Sequence, residues 1–148
     1  MTPDIHLRIA TQADSSLLLS WRNDPETVKF SIHTKPVSPE EHYNWLNRVL
    51  ANPDIKLCII EYGGQPAGTI RQELRQGDTV ISWTTAPQFR GKGIATAALS
   101  AFIRTAPATT LVAEIKEDNV ASIKVAEKAG LSFSHKEGGL LYYIKKTA

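Results

Sequence analysis

Apolar residues recur at two different periods along this chain, and the changes of period divide it into elements. Leu7-Arg8-Ile9 reads as a short first strand. Thr11 and Asp14 then start a helix carrying Leu17, Leu18 and Trp21 on one face. Pro25 disfavours helical geometry at Asp24 and ends it. From Glu26 to Val37 no period is visible, and the stretch reads as an irregular loop of the kind that carries specificity. Ser38-Pro39-Glu40-Glu41 is a strong helix start, with Ser38 as N-cap, Pro39 at N1 and Glu41 closing a capping box. That helix runs to about Leu50, with His42, Trp45, Leu46, Val49 and Leu50 on its apolar face. Three strand-like runs follow, at 55–62, 67–74 and 79–85, joined by Gly63-Gly64 and by Gln76-Gly77-Asp78.

In the second half Ile94, Ala97, Ala98, Ala101 and Phe102 fall at helical spacing and predict a helix over about 91–104, after which Pro107 breaks the chain. Residues 111–115 read as a strand, and Asp118 or Asn119 caps a helix that ends at Gly130 as its C′ residue. Residues 131–135 and 140–144 form a closing hairpin around Gly138-Gly139. The order is βαα-βββ-α-β-α-ββ. Only the middle strand–helix–strand needs a parallel pair, so the fold class is α/β with a mixed sheet, in one domain over 1–148.

The stretch with chemistry in it is Gln88-Phe89-Arg90-Gly91-Lys92-Gly93-Ile94-Ala95, between a strand and a helix. A glycine turn at a helix start presents unpaired backbone N–H groups and the positive end of the helix dipole. Two cationic side chains, Arg90 and Lys92, add to that charge, and the natural guest is a phosphate or pyrophosphate.

Composition narrows the classes. In 148 residues, 42% hydrophobic and 22% charged content is that of an ordinary globular domain. A net charge of +2, with basic residues spread along the chain, gives no case for nucleic acid. No apolar run is long enough to span a membrane, and Met1-Thr2-Pro3-Asp4 lacks the regions of a signal peptide. The lone Cys58 excludes an internal disulfide, fits a cytoplasmic location, and reads as a core thiol in an apolar run. His6, His33, His42 and His135 show no metal-ligand spacing. The oligomeric expectation is a monomer or a homodimer.

Gln88-x-x-Gly91-x-Gly93, after a three-strand meander, resembles the acetyl-CoA-binding motif of the GCN5-related N-acetyltransferases. Asn119-x-x-Ser122 and then Lys128-Ala129-Gly130-Leu131 resemble the second block of the same superfamily, and the likeness covers essentially the whole chain. It implies acetyl-CoA as cofactor, with the pyrophosphate on the turn amides of Arg90, Gly91, Lys92, Gly93, Ile94 and Ala95. It implies pantetheine lying like an extra strand beside Thr84 and Thr85, with Asn119 and Ser122 contacting that arm. A backbone N–H at the strand would polarise the thioester carbonyl.

The reaction so implied is direct attack of a neutral amine on the thioester, which needs a base for the amine proton and an acid for the thiolate. Glu114, five residues before Asn119, resembles the glutamate base of peptide-acetylating members. A solvent-facing strand residue is the other reading of Glu114. The usual acid is a tyrosine seven residues after the asparagine, and that position is Ala126 here. Ser122 is the better replacement, with Tyr142 and Tyr143 as the others.

Trp21-Arg22-Asn23, together with Ser38-Pro39-Glu40-Glu41-His42 and Trp45, looks like a subgroup that acetylates a 4-amino group on nucleotide-linked deoxysugars. Ribosomal-protein N-terminal acetyltransferases share a looser version. Arg22 and Asn23 suit a ligand bearing phosphate or hydroxyls, or else cap the first helix. The function expected is acetyl transfer to the primary amine of a small molecule such as a nucleotide-linked amino sugar. The alternatives are N-terminal acetylation of a ribosomal protein, or a non-catalytic acyl-CoA-binding module. A Rossmann site does not fit, because Thr96 stands where the third glycine belongs. A P-loop does not fit either, because Lys92 lies between the glycines.

Overall fold

Strand β2 (Ile55–Tyr62) is buried on both faces, which fixes the layering. Its neighbouring residues Ile59 and Ile60 are both 0% exposed, and successive strand residues point to opposite faces. Ile60 joins one apolar cluster with Ile70, Ile81, Leu99, Phe102 and Leu111, whereas Ile59 joins another with Leu18, Trp21, Leu46 and Val49. A sheet with helices on both faces is the arrangement that satisfies both.

The computed structural model describes residues 4–106 and 109–147. The sheet has seven strands in the order β1-β2-β3-β4-β5-β7-β6. These are β1 (Ile5–Ile9), β2, β3 (Gln65–Arg75), β4 (Asp78–Thr85), β5 (Thr109–Lys116), β6 (Ser132–Glu137) and β7 (Leu140–Thr147). Helices α1 (Ser15–Arg22), α2 (Pro25–Phe30) and α3 (Pro39–Ala51) precede β2, and α4 (Ile94–Thr105) and α5 (Val120–Lys128) flank β5. Every neighbouring pair is antiparallel except β4 and β5, as the strand–helix–strand unit requires. Among the described helices none is long and apolar enough to cross a membrane.

The mixed α/β fold class matches expectation, and so do the caps. Ser38 and Glu41 form the capping box of α3, Asn119 caps α5 by accepting the Ser122 N–H, and Gly130 follows the last turn of α5 with φ +98°. Three expectations change. Pro25 starts a helix instead of only ending one: Asp24 accepts the Thr27 N–H as N-cap, Pro25 takes N1, and part of the expected loop becomes α2. Helix α4 begins at Ile94, three residues after Gly91, because Gly91 and Gly93 hold φ of +78° and +75° and the chain cannot be helical through them. Leu50 ends up exposed on α3 rather than on its buried face. The expected break at Pro107 lies outside the described residues.

Candidate active site

The one parallel pair is short. Strands β4 and β5 are in register only at Thr79 with Leu111 and Val80 with Val112. Beyond that point they part, and among the described residues 81–85 of β4 and 113–116 of β5 have no strand partner on their facing edges. Between them opens a cleft of about 850 Å³, within the range of small-ligand sites. An extended ligand arm can lie against such unpaired backbone as an added strand.

The cleft's end at the glycine turn is built for an anion. Arg90 N–H donates to the Pro87 carbonyl and Ala97 N–H to the Gly93 carbonyl, but the amides from Gly91 to Thr96 have no acceptor among the described residues. Two left-handed glycines flanking Lys92 gather these amides into a concavity at the start of α4. A Cβ at either glycine would meet nothing within 4 Å, so glycine is needed there for its dihedral angle rather than for space. Lys92, Lys124 and Lys128 add positive charge to the cleft lining. A pyrophosphate fits these groups on charge and on donor number, which is what CoA requires.

The expected site residues distribute as follows. Thr84, Thr85, Gly91, Lys92, Gly93, Ile94, Ala95, Asn119, Ser122, Lys128, Glu114 and Arg22 all line the cleft, whereas Gln88 and Asn23 do not. Asn23 brackets Val37, its amide donating to the Val37 carbonyl and its carbonyl accepting the Val37 N–H, both at 2.7 Å. Arg90 turns its guanidinium away from the turn, to Asp24 at 2.6 Å and Glu26 at 2.9 Å on α2. Arg22 reaches the carbonyls of His33 at 2.9 Å and Lys35 at 3.3 Å, and its Nη1 is buried without a partner.

Alternation along β5 sends Leu111, Ala113 and Ile115 into the core and Val112, Glu114 and Lys116 to the other face. The Glu114 side chain is 17% exposed and takes an ion pair from Arg75 at 3.1 Å. Tyr142 stands opposite it in register on β7. Burial, with the Glu114 charge added, raises the Tyr142 phenol above its ordinary value, so it remains a donor. Asn119 donates its amide to Ser122 Oγ at 3.0 Å. Ala126 is fully buried beside α4, so α5 turns that position into the core. Tyr143 likewise packs in the core, against Phe133.

Two features that the sequence pattern does not single out shape this site. A Cβ on Gly68 would stand 2.2 Å from the Thr84 carbonyl oxygen, so only glycine lets β3 approach the end of β4 so closely. A glycine inside a strand pattern is the available signal for such an approach. Lys116 Nζ donates to the Lys29 carbonyl at 3.1 Å, tying the tip of β5 to the end of α2. With Arg90 holding its start, α2 is strapped to the two sides of the cleft.

Residues 4–132 match the family described as acetyltransferase (GNAT) domain. No curated protein matched the chain. Among solved structures, a domain from Methanocaldococcus jannaschii superposes with a TM-score of 0.84 at 24% identity, over 97% of this chain and 99% of that one. The aminoglycoside acetyltransferase AAC(6')-Ib in complex with coenzyme A gives 0.83 at 19% identity, over 97% and 95%. Spermidine N-acetyltransferase from Vibrio cholerae, in complex with CoA and spermine, gives 0.84 at 13% identity, over 97% and 95%. These likenesses show the fold, and the family match shows the kinship. With a splayed parallel pair beside a glycine turn that suits a pyrophosphate, the chain belongs to the GNAT acetyltransferases and is an acetyl-CoA-dependent N-acetyltransferase.

Proposed function

We propose that the acceptor is a small-molecule primary amine that itself carries negative charge, with a nucleotide-linked amino sugar as the fitting class. The observation behind this is the charge balance of the cleft. Its lining holds Arg22, Arg90, Lys92, Lys116, Lys124 and Lys128 against Glu26, Glu114 and Asp118. Glu26 is neutralised by Arg90 and Glu114 by Arg75, whereas Arg22 and Lys116 donate only to backbone carbonyls. A polycationic amine gains little from such a wall, and a diphosphate gains charge-assisted hydrogen bonds.

Acetyl-CoA, when bound, supplies the acetyl group as an activated thioester. Glu114 takes the proton lost by the amine, through a water, from its place on the cleft wall. Ser122 Oγ accepts from Asn119, which leaves its own hydroxyl proton to be given into the cleft. The open backbone edge at Thr84 and Thr85 holds the extended arm.

Thiol release from acetyl-CoA tests this against a panel: a uridine diphosphate-linked 4-amino sugar, the same sugar without the nucleotide, an aminoglycoside, spermine, and a peptide with a free N-terminus. The nucleotide-linked amine should exceed the bare sugar in kcat/KM by roughly tenfold or more. A best rate on spermine or the aminoglycoside would overturn the charge argument. A best rate on the peptide would assign the chain to protein N-termini instead. Thermal stabilisation by CoA with no amine turned over would leave only a binding module.

A further inference from the structure

A line of alternating charge crosses the open face of the sheet and ends on Glu114. Arg71 and Arg75 both reach Glu73, at 3.5 and 2.6 Å, and Arg75 passes over β4 to Glu114 at 3.1 Å. Tyr142 closes the line from β7, its ring stacked on His135 with centroids 4.4 Å apart and planes within 5°. None of these belongs to the cofactor turn or to the helices over the cleft. Glu114 is therefore held by an arginine reaching over from β3, with the Tyr142 phenol in register beside it on β7, while it also lines the cleft. The Arg75 ion pair leaves Glu114 one fixed orientation toward a water and an amine.

We infer that Arg75 is the positioning residue for Glu114, and that Glu73 sets how much of the Arg75 charge Glu114 receives. The inference rests on Glu114 acting as the base, since an orienting partner matters only if Glu114 takes the proton. Arg75 is 49% exposed at the end of its strand, so its replacement leaves the fold with its core contacts intact. The charged and titratable groups around Glu114 are Arg75 and Glu73 from β3, Tyr142 from β7, His135 from β6, Lys116 on its own strand and His33 across the cleft. Strand β4 sets Val80 and Ser82 in register with Glu73 and Arg71, and its one charged residue, Asp78, stands opposite Arg75.

The test is the acid limb of the pH profile of kcat/KM, measured with acetyl-CoA and the fastest amine of the panel above. Arg75→Gln removes the positive neighbour and should move the limb up by about 0.5–1 pH unit, the surface exposure holding the effect near the low end. Glu73→Gln removes a competing carboxylate and should move it the other way, and Arg75→Lys should return it toward wild type. Opposite shifts are the signature, because general loosening of the strand would displace both variants alike. If Glu114→Gln keeps wild-type turnover, or no amine in the panel reacts, the base reading falls and takes this inference with it. If Glu114→Gln cripples turnover while Arg75→Gln and Glu73→Gln leave the limb in place, the base stands and the positioning role is wrong.

Discussion

His42 shows how a residue on an apolar helix face becomes a pH liability. It is 2% exposed on α3, lies 5.4 Å from the Trp45 ring centroid, and its Nδ1 has no partner. Burial, with the Arg22 charge added, holds the imidazole below 6.5, so the folded protein keeps it neutral. The unfolded chain then binds the proton more readily than the folded one. The stability that follows is fully present above about pH 6.5 and is lost as pH falls through the depressed folded-state value. Urea unfolding from pH 7.5 down to 5 should show this loss in the wild type and a flatter profile in His42→Leu; equal profiles would contradict it. Gly68 makes the other residue-scale case. Gly68→Val places a Cβ against the Thr84 carbonyl and should cost about 2 kcal/mol or more, with weaker CoA binding by calorimetry, because the shifted strand is the one that flanks the cleft.

Among the elements, α2 has no fully buried residue, and polar straps tie it down: its N-cap Asp24, the Arg90 bridge and the Lys116 bond to Lys29. Asp24→Ala removes the cap and half of the Arg90 bridge, at about 1 kcal/mol for the cap. Hydrogen exchange should then speed up through residues 25–30 while β2 and β3 stay protected; unchanged exchange in α2 would show that other contacts hold it. The same helix marks the limit of what sequence shows. Strands β2, β3 and β4 and helices α3 and α5 are legible because burial on a fixed period, capping boxes and glycine turns are local signals. Helix α2 lacks an apolar stripe, and its reasons for existing, Arg90 and Lys116, lie far along the chain. The glycine turn is legible in the same local way, whereas the neighbours of Glu114 come from β3 and β7 and depend on strand order. Asn23, read as a ligand contact or a cap, spends both ends of its amide on Val37, a bond between residues too far apart for any spacing rule.

At the scale of the molecule, function follows from one interruption in an otherwise continuous sheet. Six strand junctions hold the order β1-β2-β3-β4-β5-β7-β6, and the parallel one is in register at two residue pairs only. The helix that connects those strands, α4, begins at the glycine turn, so the opening of the sheet and the unpaired amides of the helix start line one cleft. The glycine turn and the residues proposed for the chemistry, Glu114 and Ser122, thus line the same cleft. The most direct test is a titration of ¹⁵N-labelled protein with CoA, read as amide shifts. The amides from Gly91 to Thr96 should move most, followed by those at Thr84, Thr85 and 113–116, with β1 and β6 unaffected. Saturable binding that leaves the amides from Gly91 to Thr96 in place would contradict the account.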